Sequence, residues 1–275
     1  MKLVKNGKVK DLYELDEDRL LFEFTDRVSA FDVVLPSMIP RKGEILCKFA
    51  EYWFKILNAP HHMLEVIPPN RMVVKRLNLI PVECVIRGYL YGSLHERVLR
   101  GDVKLETNVL AAKLSTPYFD PTTKFEAKDR PVTEDEILQK QWLTKESLEW
   151  IKAKSISIYD AISTHADHAG FILADLKLEF GVDKEGQILL ADSIGPDEFR
   201  LWSKESYQEG REQESYDKQP VRDWLIKVSY RKRLEDARKA HAPLPEPPTL
   251  PSDLIQEVSQ RYLYAYEKLT RTKPG

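Results

Sequence analysis

Between Phe171 and Asp192 the chain reads as a strand, a tight turn and a returning strand, and no other block restricts the fold as strongly. Side chains alternate faces along a strand, so Ile172, Ala174, Leu176, Leu178 and Phe180 form one face. Asp175, Lys177 and Glu179 form the other, beside Phe171 and Leu173. Asp183-Lys184-Glu185-Gly186 supplies the turn, and Ile188–Asp192 returns. If Val182 pairs with Gln187, Lys177 lies opposite Asp192 and Glu179 opposite Leu190. Asp192 is then diagonal to both Asp175 and Glu179, at roughly 7–8 Å, close enough for two carboxylates to share a cation.

Such a charged face has two readings of equal weight. One is a solvated strand face carrying alternating ion pairs. The other is a cation site, because Phe171, Leu173, Ile188 and Leu190 share the face and buried charges need partners. Carboxylate oxygens without His or Cys select Mg²⁺, which is held by one or two carboxylates together with substrate phosphates.

Composition removes other classes. Eleven glycines in 275 residues include no two that lie two apart, so a Rossmann fingerprint is absent. Gly181 and Gly186 have P-loop spacing, but Gln187 follows where a lysine is required. There is no HExxH and no Cys-x-x-Cys. With 42 Lys+Arg against 44 Asp+Glu, nothing general draws the chain to nucleic acid or to an anionic membrane. No apolar run reaches the ~18 residues of a membrane helix, and the N-terminus lacks a signal-like apolar core. Cys47 and Cys84 make no disulfide framework. A cytoplasmic protein acting on small molecules is expected, with a homo-oligomer left open.

The first third reads as short strands, Leu20–Thr25, Phe31–Leu35, Met63–Ile67 and Met72–Arg76, around one helix from Glu44 to Asn58. A strand Val82–Tyr89 follows Pro81, and Ser93 is placed to cap a helix ending at Gly101. Residues 104–132 lack a period and suggest a long lid-like loop. Thr133 and Glu136 form a capping box, and a helix is expected from Lys145 to His168. Helices at Val221–His241 and Asp253–Thr272 flank a Pro-rich connector. Strands first, then helices with an embedded hairpin, indicate an α+β fold of two subdomains, 1–81 and 82–275.

Three smaller groups add candidates. Gly7-Lys8-Val9-Lys10 sets two lysines on one face, suited to phosphate oxygens or simply solvated. Glu83 and Arg87 share a strand face, and Arg87, Gly88, Gly92 and Ser93 lead into a helix N-terminus, an anion site or a plain turn. Asp197, Arg200 and Lys204 follow the hairpin and bring a cation toward the metal candidates, or form a surface loop. His61-His62 reads as loop, His165 and His168 as helix-end residues, and Trp53, Trp142, Trp150 and Trp224 as packing.

Six segments in order resemble one family: GKVKDLYEL at 7–15, TDRVSAFD at 25–32, VKRLNLIPVECVIRGYLYGSL at 74–94, STPYFDPTTK at 115–124, ILADLKLEFG at 172–181 and SYDKQPVRDWL at 215–225. Together they resemble phosphoribosylaminoimidazole-succinocarboxamide synthase (SAICAR synthetase). The resemblance implies ATP-driven ligation of L-aspartate to the carboxylate of the imidazole nucleotide CAIR through an acyl phosphate, with Mg²⁺. It also implies two α+β subdomains with ATP in the cleft between them, similar to protein kinases and ATP-grasp enzymes.

By position, the resemblance assigns Lys8, Lys10 and Lys75 to the ATP phosphates, and Leu77 and Leu79 to a hinge that meets adenine. Glu179 and Asp192 correspond to the Mg²⁺ ligands, and Arg87, Ser93 and Arg200 to the grip on the substrate 5′-phosphate. Glu83, Asp175 and Lys177 fall at the CAIR base and carboxylate, with Asp175, Lys177 and Lys10 the groups nearest the chemistry. Asp129 falls in the aspartate or lid region. Three positions depart from the family pattern: Ser193 where Glu is usual, Phe199 where Ser is usual, and Lys128-Asp129 where His-Asp is usual. A kinase-like phosphotransferase acting on a small hydroxyl compound shares ATP and the hairpin carboxylates, but no HRD-type loop is present. A catalytically silent nucleotide-binding protein is the third reading.

Overall fold

The computed structural model describes residues 1–126 and 129–274; Lys128 lies outside them. The chain divides into two units, and the division differs from the expected single boundary at 81/82. Met1–Glu51, Met63–Lys75 and Tyr216–Gly275 form the first, and Tyr52–His62 with Arg76–Ser215 the second. The C-terminal helices thus group with the N-terminal sheet.

The first unit is built on an antiparallel sheet in the order β1-β2-β3-β7-β6, from β1 (Lys2–Asn6), β2 (Lys10–Glu14), β3 (Arg19–Phe24), β6 (Met63–Ile67) and β7 (Arg71–Lys75). A hairpin of β4 (Arg27–Ala30) and β5 (Val33–Met38) stands apart from it. Helix α1 (Lys42–Ile56) follows, and the division between units falls inside it. Its Phe49 packs edge-on against Tyr266, with ring centroids 5.2 Å apart.

The second unit carries the long strands β8 (Asn78–Tyr89) and β11 (Phe171–Val182), paired antiparallel with Asp175 opposite Arg87, Lys177 opposite Val85 and Glu179 opposite Glu83. Helix α2 (Gly92–Arg100) follows β8. Strands β9 (Lys113–Phe119) and β10 (Thr122–Thr123) then pair with β8. Two strands therefore occupy the stretch expected to be a lid-like loop. Pro117 has no N–H to donate, and β9 is an edge strand, where proline is tolerated. Helix α3 (Glu134–Gln139) is capped as expected: the Thr133 side chain accepts from the Glu136 amide. Glu136 leaves the box unreciprocated, because its carboxylate takes Arg130 and Lys140 instead. Helix α4 (Lys145–His168) matches expectation and packs on β11 and β8. Its Tyr159 hydroxyl donates to the Leu173 carbonyl at 2.8 Å.

Strands β12 (Ile188–Ala191) and β13 (Phe199–Ser203) both pair with β11. Here the register differs from expectation by one residue: Val182 pairs with Ile188, so Glu179 faces Ala191. The cause lies in the turn. The Asp183 side chain accepts from the Gln187 amide at 2.9 Å, and Gln187 is spent on the turn. Within the first unit the expected helix over 221–241 is two helices, α5 (Gln219–Lys227) and α6 (Tyr230–Lys239), broken at Ser229, whose φ is 58°. Helix α7 (Ser252–Thr270) closes the chain. Among the described residues, no helix is long and apolar enough to cross a membrane.

Candidate active site

One face of β11 organises the charges of the second unit. Asp175 and Glu179 are buried and Lys177 half-buried, so the face is not a solvated ladder. Its two ends are built differently.

At the Asp175 end the partners are arginines. Arg87 is itself buried and donates through Nη1 to Asp175 at 3.2 Å, through Nε to Asp120 at 2.9 Å and through Nη2 to the Ser93 hydroxyl at 3.0 Å. Arg200, opposite Asp175 on β13, ion-pairs with the same carboxylate. Arg97 reaches the second oxygen of Asp120 at 2.5 Å. Three guanidinium groups thus share two carboxylates beside the N-terminus of α2, leaving a net positive charge suited to an anion.

Glycine geometry permits this crowding. A Cβ on Gly88 would lie 1.7 Å from the Tyr159 hydroxyl, and one on Gly92, at φ +58°, would lie 3.0 Å from Arg200 Nη2. Ser93 is not the N-cap of α2; that position is Tyr91, with no side-chain capping bond, which leaves the Ser93 hydroxyl to Arg87.

At the Glu179 end the partners are lysines. Glu83 and Glu179 stand directly opposite each other, a repulsive placement relieved by Lys177, whose ammonium lies 2.7 Å from Glu179 and 3.2 Å from Glu83. Lys124 pairs with the other oxygen of Glu179, and Thr122 donates to Glu83 at 3.2 Å. Burial disfavours the Lys177 ammonium, yet Glu179, Glu83, Asp192 and Glu198 more than offset this and hold its pKa well above the ordinary value. For Glu179, burial and Asp192 push upward, whereas Lys177 and Lys124 pull down and prevail.

Asp192 keeps its predicted nearness to Glu179 despite the changed register. It follows β12 with a left-handed backbone, φ 62°, so strand alternation no longer governs its side chain, and its charge acts on both Glu179 and Lys177. His62 buttresses it: Nε2 donates to the Asp192 carbonyl at 3.0 Å. Among the described residues no group of three or more His, Cys, Asp or Glu forms a metal cage. Two hard carboxylates that already attract two ammonium groups nevertheless suit a Mg²⁺ that arrives with phosphate ligands of its own. Burial drives the thiols of Cys47 and Cys84 up to about 12, so neither offers a thiolate nucleophile.

Other predicted residues lie elsewhere. Leu77 and Leu79 flank the C-terminal end of β11, Leu79 opposite Gly181 and Leu77 against it. Asp129 is half-buried next to Arg130. Asp197 is half-buried, but Lys204 pairs with Asp167 on α4 rather than joining the metal candidates. Ser193 is buried, and Phe199 is buried opposite Leu176 on the apolar side of β11.

In the first unit Lys8 pairs with Asp32 at 2.6 Å and is exposed. Lys10 is buried, its ammonium 5.6 and 5.3 Å from the ring centres of Phe22 and Phe24. The turn that carries them is tied down: Gly7 N donates to Lys10 O at 2.9 Å, Thr25 N to Val9 O at 3.0 Å, and Arg27 to the Gly7 carbonyl at 2.9 Å. Lys75 ends β7, half-buried and opposite Arg19.

Sequence reading missed Arg97, Asp120, Lys124 and His62. Arg97 had a usable signal, lying four residues after Ser93 on the same face of α2. Asp120 and Lys124 sit in a stretch without periodicity, and His62 meets a partner 130 residues away.

Residues 3–237 match the family model described as SAICAR synthetase. A phosphoribosylaminoimidazole-succinocarboxamide synthase of Nitrosopumilus maritimus is 49% identical over 273 residues, 98% of each chain. That of Corynebacterium ammoniagenes is 38% identical over 284 residues, 97% of this chain and 93% of its own. The SAICAR synthase of Saccharomyces cerevisiae, solved in complex with SAICAR, is 31% identical and superposes with a TM-score of 0.82, covering 98% of this chain and 95% of that one. A match of this extent, over a site of this chemistry, means that the chain belongs to the SAICAR synthetase family, the ligases that join L-aspartate to CAIR with cleavage of ATP in purine biosynthesis.

Proposed function

We propose that β11 works as a ruler for the nucleotide substrate: Arg87, Ser93 and Arg200 bind the 5′-phosphate of CAIR at the Asp175 end, and the base and carboxylate extend past Glu83 and Lys177 toward Glu179. The observation that carries this reading is the order of charges along one strand face, with guanidinium groups at Asp175 and ammonium groups at Glu179. A substrate with a phosphate at one end and a reacting carboxylate at the other needs that order.

Glu179 and Asp192 hold Mg²⁺, which when bound neutralises phosphate charge and polarises the transferring phosphoryl group. Lys8, Lys10 and Lys75 contact phosphate oxygens of ATP, and Leu77 and Leu79 meet the adenine. The carboxylate of CAIR attacks the γ-phosphorus, so two anions must approach; Lys177, cationic throughout the physiological range, offsets that repulsion. ADP leaves, and the neutral amine of aspartate then attacks the acyl carbon: the C–N bond forms, the C–O bond to phosphate breaks, and the amine loses a proton as phosphate departs. Asp175 positions Arg87 and Arg200, and Asp129 belongs to the aspartate pocket. No enzyme nucleophile is needed, in keeping with two buried, protonated thiols. The protein acts in the cytoplasm, without nucleic-acid or membrane partners.

Phosphate release from ATP and CAIR, with and without L-aspartate, tests the reading. Aspartate-dependent release with SAICAR as product supports it, whereas ADP formation indifferent to aspartate identifies a phosphotransferase instead.

A further inference from the structure

Both oxygens of the buried Glu179 carboxylate are already taken by cations, and the two cations are not equivalent. Lys177 projects from the middle of β11 and is shared between Glu179 at 2.7 Å and Glu83 at 3.2 Å. Four carboxylates, Glu179, Glu83, Asp192 and Glu198, act on it. Lys124 is the first residue past β10, and its ammonium has one carboxylate partner among the described residues, the remaining oxygen of Glu179. The Phe125 ring also lies 5.7 Å from the ammonium. Lys177 is therefore anchored by several charges and a strand, and Lys124, among the described residues, by a single carboxylate.

A buried carboxylate stripped of its counter-charge is costly. A carboxylate that must receive a divalent cation therefore needs a substitute while it waits, and the substitute has to be releasable. We infer that Lys124 is this exchangeable counter-cation: it occupies the Glu179 oxygen that the metal takes, and it must leave that oxygen when the metal–nucleotide binds. Binding is then an exchange, with one ammonium departing as one divalent ion arrives. Lys124 thereby sets a threshold against metal binding without nucleotide. This inference rests on the reading of Glu179 and Asp192 as the metal pair.

The test uses the ligand-free protein and Mn²⁺ alone as probe, with bound metal counted by electron paramagnetic resonance. Lys124→Gln removes the competing charge and is expected to bind Mn²⁺ about tenfold more tightly than wild type, a difference of about 1.4 kcal/mol. Lys124→Arg keeps the charge and is expected to bind as wild type does. Equal or weaker Mn²⁺ binding by Lys124→Gln, or no binding up to millimolar metal, overturns the inference. Lys124→Met gives the same comparison should the glutamine variant melt at a lower temperature than wild type. Glu179→Gln separates the two levels: Mn²⁺ binding that survives this substitution refutes the metal assignment itself, whereas binding that disappears there but fails to tighten in Lys124→Gln refutes only the role of Lys124.

Discussion

The two ends of β11 carry the same kinds of charge and handle them in opposite ways. At Asp175 three arginines, two aspartates and a serine interlock, with Arg87, Asp120 and Asp175 each holding more than one partner. At Glu179 two lysines cover one carboxylate as point charges. A planar guanidinium loses little on forming a fixed, multidentate contact, whereas an ammonium on a flexible stem exchanges partners readily. The first construction suits a group that stays unchanged through the reaction, as a 5′-phosphate does. The second suits a place where charge arrives, moves and departs in each turnover.

Substitutions can break this contrast. Arg87→Met should have the largest effect, because it strips Asp120 and Asp175 of a shared partner inside the protein. A loss of about 3–5 kcal/mol is expected in urea unfolding, with a raised KM for CAIR. Next comes Glu179→Gln, expected to lower kcat for aspartate-dependent phosphate release by about 10²–10³-fold while the circular dichroism spectrum stays that of wild type. If Arg87→Met instead lowered kcat alone and Glu179→Gln only raised the KM for CAIR, the two ends would have exchanged roles. Gly88→Ala tests the rigidity of the arginine end through the backbone. Its new methyl meets the Tyr159 hydroxyl, with an expected cost of about 1–3 kcal/mol in thermal or urea unfolding, and Tyr159→Phe in the same chain should restore part of it.

The smallest effect concerns pH. The depressed pKa of Glu179 contributes stability that is present above its ordinary 4.5 and is lost as pH falls through the lower folded-state value. The raised pKa of Lys177 contributes fully below its ordinary 10.5 and is lost only as pH climbs through the higher folded-state value. The difference in unfolding free energy between wild type and Glu179→Gln should therefore stay flat from about pH 6 to about pH 9 and shrink below about pH 4.5. A slope inside the flat range would mean that a further group titrates within the lysine end.

Legibility followed how local the determining physics was. The alternation of residues 171–180 and the capping box of Thr133 with Glu136 are short-range patterns, and β11 and α3 stand where the sequence puts them. The pairing register slipped because one side chain, Asp183, recruited Gln187 into the turn, a choice that residue types alone leave open. Strand β9 was invisible because Lys113–Phe119 has no period of its own and becomes a strand only by pairing with β8. The break at Ser229 lacks a Gly or Pro to announce it. Within the site, the strand pattern set Asp175, Lys177 and Glu179 on one face, and there their side chains meet arginines at one end and lysines at the other. Arg97 carried a helical-spacing signal that went unused, whereas Asp120, Lys124 and His62 escaped because their roles come from contacts closed across long stretches of chain.

One edge of β11 is shared by two partners in succession. Residues Phe171 to Leu176 pair with β13 and residues Glu179 to Val182 with β12, so the ladder forks at Lys177 and Leu178. The segment that joins β12 to β13, from Asp192 to Glu198, spans the prongs of this fork, and the Lys177 amide donates to the Glu198 carbonyl at 2.7 Å to bridge it. Charged side chains therefore gather where two strands part company, on scaffolding made of main-chain bonds. Main-chain scaffolding is indifferent to most side chains. Ser193 and Phe199, two of the departures from the pattern that the resemblance led one to expect, flank or end this fork without breaking it: the fork keeps its form as long as Asp192 holds its left-handed backbone, a conformation that aspartate tolerates better than most residues do.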